Sequence, residues 1–181
     1  MQPAIRPNVA ALSQAILIRD LLPDERSVTT IYTIGHSNHQ PEDFLALLRQ
    51  HGIEIVVDVR SSPYSRYVPQ ANRDTLSHTL EAAGIGYHWL GRQLGGKPPG
   101  VAVDYDHLRV RPAFHDGLAT LLDLAEQGRT TIMCAEGDHR RCHRTHLIAP
   151  ALLDRDVRIL HIQTDGSLVE QNQEPRQLSF F

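Results

Sequence analysis

Cysteine is scarce in this chain. Only Cys134 and Cys142 are present, too few and too close together for a disulfide framework, so a reducing cytoplasm is the expected compartment. Long apolar runs are also absent: none approaches the roughly 20 residues a bilayer-spanning helix needs, so no membrane association is expected. The first residues lack a cationic segment followed by an apolar core and a small-residue cleavage site, so secretion is not expected. Neither sign of charge dominates. A formal net charge of -3 gives no overall support for nucleic-acid binding and leaves direct DNA contact to a local basic patch. Internal repeats are absent too. What is present is ordinary for a globular protein: 181 residues, 41% hydrophobic and 22% charged, enough for one domain with a real core.

The apolar pattern alternates between strand-like and helix-like segments. Strands are expected over Thr29–Ile34, Ile53–Val59, Ile85–Leu90, Thr130–Cys134 and Val157–Gln163. The Ile53–Val59 run is continuous and β-branched, as in strands buried on both faces of a parallel sheet. Helices are expected over Pro41–His51, about Asn72–Ala83, Pro112–Gln127 and about His143–Arg155, with Gly52, Gly84 and Gly128 after the first three. Pro150, lying inside the last of these, should kink it or mark its true first turn. Gly91–Tyr105, rich in glycine and proline, reads as a long loop of the kind that often carries function. The fold class is therefore α/β: a single domain with a mainly parallel sheet of about five strands and helices on both faces. The domain occupies residues 28–166. An extension over 1–27 can form a short amphipathic helix through Leu12, Ala15, Ile16 and Ile18, and a polar tail covers 167–181.

Three expected strands end in polar residues, which parallel pairing would bring to one sheet edge, where α/β folds bind ligands. The first contributes His36 and Ser37, the second Asp58, Arg60 and Ser61, and the fourth Cys134 and Glu136. Arg60, Arg66, Arg140, Arg141 and Arg144 can then surround an anion, because the guanidinium fork matches phosphate and carboxylate. Asp58 either belongs to that site or simply pairs with Arg60 at the strand end.

Both cysteines lie in one stretch, Cys134-Ala135-Glu136-Gly137-Asp138-His139-Arg140-Arg141-Cys142-His143-Arg144. Cys142 is expected near a helix N-terminus, where the dipole and its basic neighbours Arg141, His143 and Arg144 favour the thiolate. Cys134 reads as a small core residue or loop anchor. Glu136 can exchange a proton or hold an arginine. Two sharper readings fit less well. Cys134 and Arg140 have the spacing of a phosphatase loop, but Glu136 and Asp138 would repel the anion. Zinc held by Cys134, His139, Cys142 and His143 or His146 has suitable ligand types without paired Cys-x-x-Cys spacing. Neither a metal nor another cofactor is therefore expected.

The ordered pieces Ile31-Tyr32-Thr33-Ile34-Gly35-His36-Ser37, Asp58-Val59-Arg60, Gly84-Ile85-Gly86-Tyr87, Leu94-Gly95-Gly96, Cys134-Ala135-Glu136, Cys142-His143-Arg144 and His161-Ile162 carry a resemblance. The sequence resembles the bacterial and archaeal domain-of-unknown-function family 488 over about residues 31–166. That resemblance implies a compact α/β fold and a polar site that looks enzymatic, with no reaction attached. The tail ends in Gln177-Leu178-Ser179-Phe180-Phe181, similar to the peptide by which bacterial replication and repair proteins dock on the DNA sliding clamp. Gln177 would hydrogen-bond, and Leu178, Phe180 and Phe181 would anchor in an apolar pocket.

Two functions follow as expectations. The first is an enzyme on a phosphate-bearing substrate, a small molecule, nucleotide or nucleic-acid end. Arg60, Arg144, Arg66, Ser37 and Asp58 would form the binding surface, with chemistry from Cys142, Glu136, His36, His143 or Cys134. The second is a non-catalytic adaptor or ligand-sensing module in DNA maintenance, recruited through its tail.

Overall fold

A computed structural model describes residues 28–97 and 103–172. The extension over 1–27 and the proposed docking residues Gln177, Leu178, Phe180 and Phe181 lie outside the described residues. Within them are strands β1 (Thr30–Gly35), β2 (Ile55–Asp58), β3 (Gly86–Trp89), β4 (Thr130–Cys134), β5 (Arg158–Ile162) and β6 (Leu168–Glu170). They form one sheet in the order β3-β2-β4-β1-β5-β6. Every pairing is parallel except that of β6 with β5. The α/β reading holds, with one strand more than expected. The extra strand is β6, an edge whose three residues are all exposed.

Each face of the sheet has its own apolar cluster. α1 (Pro41–Gln50) and α2 (Arg73–Ala82) cover the first, through Phe44, Leu47, Leu48, Leu76 and Leu80 packed on Ile34, Val56 and Met133. α1 begins with proline in its first turn, followed by Glu42 and Asp43, and ends near Arg49; this order suits both the missing amide hydrogen and the helix dipole. The second face carries α3 (Gly91–Leu94), α4 (Tyr105–Arg109), α5 (Pro112–Gln127) and α6 (Ala149–Leu153). In α5, Phe114, Leu118, Leu121 and Leu124 recur at helical spacing and pack on Val57, Ile132 and Ile159. Each such buried leucine contributes about 2 kcal/mol through area removed from water.

The last expected helix divides in two. Arg144–Ile148 forms one π-helical turn, and α6 follows with Pro150 in its first turn, where the missing donor costs nothing. Such π-turns recur at functional sites. This one sets the direction of Arg144.

The strand order positions the site. From β1 the chain crosses by α1 on the first face to β2; from β4 it crosses by α6 on the second face to β5. Adjacent strands whose outgoing connections diverge to opposite faces leave a crevice at their carboxyl ends. β1 and β4 are such a pair, and they are clamped together there. The His36 amide donates to the Cys134 carbonyl at 2.9 Å and the Ser37 amide to the Ala135 carbonyl at 2.9 Å. A Cβ at Gly35 would overlap the Glu136 carbonyl, so only glycine permits this approach. Ser37 adopts φ 47°, an uncommon left-handed conformation for a residue with a side chain.

Candidate functional site

At the end of β2, Asp58 is fully buried and accepts four hydrogen bonds. These come from the Arg60 amide at 3.0 Å, Arg60 Nε at 2.9 Å, Arg60 Nη2 at 2.6 Å and the Tyr87 hydroxyl at 2.7 Å. Arg60 Nη2 also donates to the Ala71 carbonyl at 2.9 Å, and Nη1 to His36 Nε2 at 2.9 Å. Four of the five guanidinium N–H groups thus have protein partners. His36 Nδ1 donates to the Ser37 carbonyl at 2.8 Å, which leaves Nε2 as the acceptor and fixes the neutral tautomer. Burial, reinforced by the Arg60 charge, lowers the His36 pKa to about 4. Burial and the Asp58 carboxylate push the Tyr87 hydroxyl well above its ordinary range. His36 and Tyr87 therefore hold the Asp58–Arg60 pair rather than exchange protons near neutrality.

The end of β4 is built differently. Cys134 Sγ lies 2.8 Å from Glu136 Oε2 and 3.5 Å from His143 Nδ1; Cys142 Sγ lies 3.2 Å and 3.7 Å from the same two atoms. The ligand-type atoms of all four residues fall within 4.8 Å of one another. His143 Nε2 donates to the Val59 carbonyl at 3.2 Å, so in the neutral ring the Nδ1 lone pair faces both sulfurs. Gly96 packs on the opposite side of that ring, where a Cβ would sit 2.6 Å from His143 Cβ. The sulfurs divide their roles. Cys134 is pushed up by its hydrogen bond to Cys142, then by burial and Glu136. Cys142 is held down by Cys134, then by His143 and Arg144, against the opposing effect of burial.

Arg144, only 1% exposed, lies behind this cluster. Its Nε donates to Cys142 Sγ at 3.2 Å and its Nη2 to the Glu136 carbonyl at 2.6 Å. Nη1 reaches Thr33 Oγ1 at 3.4 Å; that hydroxyl lies 2.7 Å from His161 Nδ1, and His161 Nε2 donates to Gln171 Oε1 at 2.8 Å. Burial lowers His161 to about 4, so it too is neutral.

A cleft of about 280 Å³ opens over the cysteine cluster, lined by Arg60, Lys97, Tyr105, Cys134, Glu136, Arg141 and His143 among others. The structure thus brings Arg60, Cys134, Glu136 and His143 to one opening, with Cys142 in contact beneath. Several expected residues lie elsewhere. Arg144 meets a sulfur and a carbonyl rather than the cleft, and Asp58 is consumed by Arg60 and Tyr87. Ser37 turns its hydroxyl to Asn38 at 3.4 Å, and Arg66 lies over the Tyr67 ring at 5.0 Å. Cys142 stands between a 3-10 turn, His139–Arg141, and the helical run that opens at His143 with the π-turn, and its carbonyl accepts from the Thr145 and His146 amides at 3.0 and 3.3 Å. Cys134, His143 and Arg144 favour its thiolate. The phosphatase-loop geometry is not formed either, because Arg140 is 77% exposed and pairs with Asp138 at 3.0 Å. His139 stacks on His161 at 4.0 Å and His146 Nε2 donates to the Arg140 carbonyl, so neither joins the cysteines.

Sequence reasoning missed Lys97, Tyr105 and Tyr87. Lys97 directly follows Gly95-Gly96, and its amide donates to Ser61 Oγ at 3.0 Å; a cation beside a pair of glycines was the available signal. Tyr87 lay in one of the ordered pieces of the resemblance, and Tyr105, like Lys97, in the Gly91–Tyr105 loop expected to carry function. No helix among the described residues is long and apolar enough to cross a membrane.

A family model described as "Domain of unknown function DUF488" matches residues 40–150. No curated protein and no solved structure matches the chain.

Proposed function

The chain belongs to the DUF488 family, and from that premise we propose that it is an enzyme acting on a small phosphate-bearing substrate of nucleotide type. The site is the cleft at the carboxyl ends of β2 and β4. One observation carries the reading: the cleft joins the exposed cations Lys97 and Arg141 on its wall to a floor of Cys134, Glu136 and His143. Cations around an opening draw an anion in and hold it by charge-assisted hydrogen bonds. Arg60 adds positive potential and its one remaining N–H, because its other donors are engaged. Glu136 is the exposed carboxylate beside the two sulfurs, placed to exchange a proton with substrate or water. The buried Asp58, His36 and Arg144 and the half-buried Tyr87 are positioning residues.

A screen of nucleotides and phosphate esters, read by both binding and turnover, tests this. Lys97→Ala combined with Arg141→Ala should weaken binding by about a hundredfold or more, since each charge-assisted bond is worth about 1.5–3 kcal/mol. Glu136→Ala should remove turnover while leaving binding within a few fold. Wild-type protein that binds no phosphate ester at millimolar concentration would end the proposal.

A second reading rests on the sequence Gln177-Leu178-Ser179-Phe180-Phe181. In it the chain is an adaptor recruited to a bacterial sliding clamp and linked to DNA repair. Leu178→Ala should abolish retention on immobilised clamp; retention equal to wild type removes this reading.

A further inference from the structure

We propose that Cys134, Glu136, Cys142 and His143 form a mononuclear zinc site, with the two sulfurs and His143 Nδ1 as fixed ligands and Glu136 as the exchangeable fourth. The set differs from the one weighed on spacing alone, because Glu136 takes the place of His139.

Geometry is the first support. Zinc bonds of about 2.3 Å to sulfur and about 2.0–2.1 Å to nitrogen or oxygen require tetrahedral edges of about 3.5 Å between sulfur and the lighter ligands. The sulfur-to-nitrogen edges are 3.5 and 3.7 Å, and the sulfur-to-oxygen edges 2.8 and 3.2 Å. The first pair already has the spacing of a coordinated ion. The second pair reaches it by a small swing of the exposed Glu136 side chain.

The surroundings are the second support. A metal-bound histidine ordinarily donates its other ring nitrogen to a carbonyl or carboxylate, which fixes tautomer and orientation. His143 does so to Val59 at the end of the neighbouring strand. Two thiolates and a carboxylate around a dication leave one net negative charge, and the buried Arg144 guanidinium lies against Cys142 Sγ to offset it. The Arg144 amide also points at that sulfur, at 3.5 Å. Two sulfurs with one imidazole select a borderline-soft ion over magnesium or calcium.

The cleft is the third. Both sulfurs are buried, whereas Glu136 is exposed and lines the opening. Displacement of Glu136 by water or substrate oxygen would give the three-ligand, open arrangement of catalytic zinc, in which bound water ionises near pH 7. The thiol protons pass to solvent when the ion binds.

The ion is tested without reference to turnover. Tag-free, full-length protein purified without chelator should contain one zinc per chain. After chelator treatment, Co²⁺ should restore one equivalent with a thiolate-to-cobalt charge-transfer band and a tetrahedral visible spectrum. Cys142→Ser should weaken the band, since the Cys134 thiolate remains, while Glu136→Gln should keep it but shift the visible spectrum. Because a serine variant can fail to fold, the wild type decides. Folded apoprotein that neither competes with a chromophoric chelator for zinc nor gives the cobalt band overturns the site. Zinc without turnover supports the site and defeats only the enzymatic reading; turnover with no bound metal defeats only the site.

Discussion

Two polar clusters stand side by side at the carboxyl edge of the sheet and differ in one respect. Around Asp58 the hydrogen-bonding capacity is nearly exhausted by protein partners. Around Cys134 and Cys142, four ligand-type atoms crowd together and one of their carriers, Glu136, faces solvent. Density of charged and polar side chains does not separate a support from a working site. Saturation does: a cluster whose donors and acceptors are matched internally holds shape, and an unmatched one beside a cleft is left free to take a ligand.

The largest effect that tests this contrast is on the support. Asp58→Ala leaves Arg60 and Tyr87 without their shared acceptor in a buried position and should destabilise the fold by about 3–5 kcal/mol, measured by urea unfolding. A loss below about 1 kcal/mol would break the comparison. Acid should have the next effect. His36 and His161 each have a native pKa of about 4 against about 6.5 unfolded, so between those values the unfolded chain binds more protons. Stability is therefore complete above about pH 6.5 and falls as pH drops towards 4, by on the order of 3 kcal/mol per histidine. His36→Gln should roughly halve the part of that slope due to the pair, read as urea midpoints across the range. An unchanged slope would mean that His36 is not held neutral by its surroundings.

Tyr87→Phe removes one hydrogen bond to a buried carboxylate and should cost about 1.5–3 kcal/mol, with the proposed zinc site unaffected. The smallest stability change belongs to the other cluster. Glu136→Gln, at an exposed position, should alter unfolding free energy by no more than about 0.5 kcal/mol, yet change the cobalt spectrum and any turnover. A large stability loss here would make Glu136 another support and erase the distinction.

The central fold was legible because its strands are buried on both faces and so appear as continuous apolar runs. Thr130–Cys134 and Ile55–Asp58 are examples, and their polar ends marked the site edge. β6 was not legible: Leu168, Val169 and Glu170 are all exposed, and only pairing with β5 makes them a strand. The candidate site was read as a set of residues but not as an arrangement. Arg144 follows the cysteine loop in sequence, yet the π-turn sends it inward to Cys142 instead of outward to an anion. His139 has the right chemistry for a metal, but its ring is stacked on His161. Which way a side chain points depends on the turn that carries it and on partners from distant strands, and neither is written in local spacing.

The order of the strands carries a consequence for how the molecule is made. Among the described strands β1 is made first, yet its neighbours are β4 and β5, the last two of the parallel strands described. Tyr32 sits opposite Thr131 and Leu160. Until those segments appear, the β1 edges have no native partner, and β2 cannot serve because β4 must lie between them. Pairing at such long range is slow and leaves apolar strand edges open in the meantime. The β1 edges therefore gain both native partners only once the chain has been made as far as Ile162. The cleft can form around its cysteines only once β4 has joined β1.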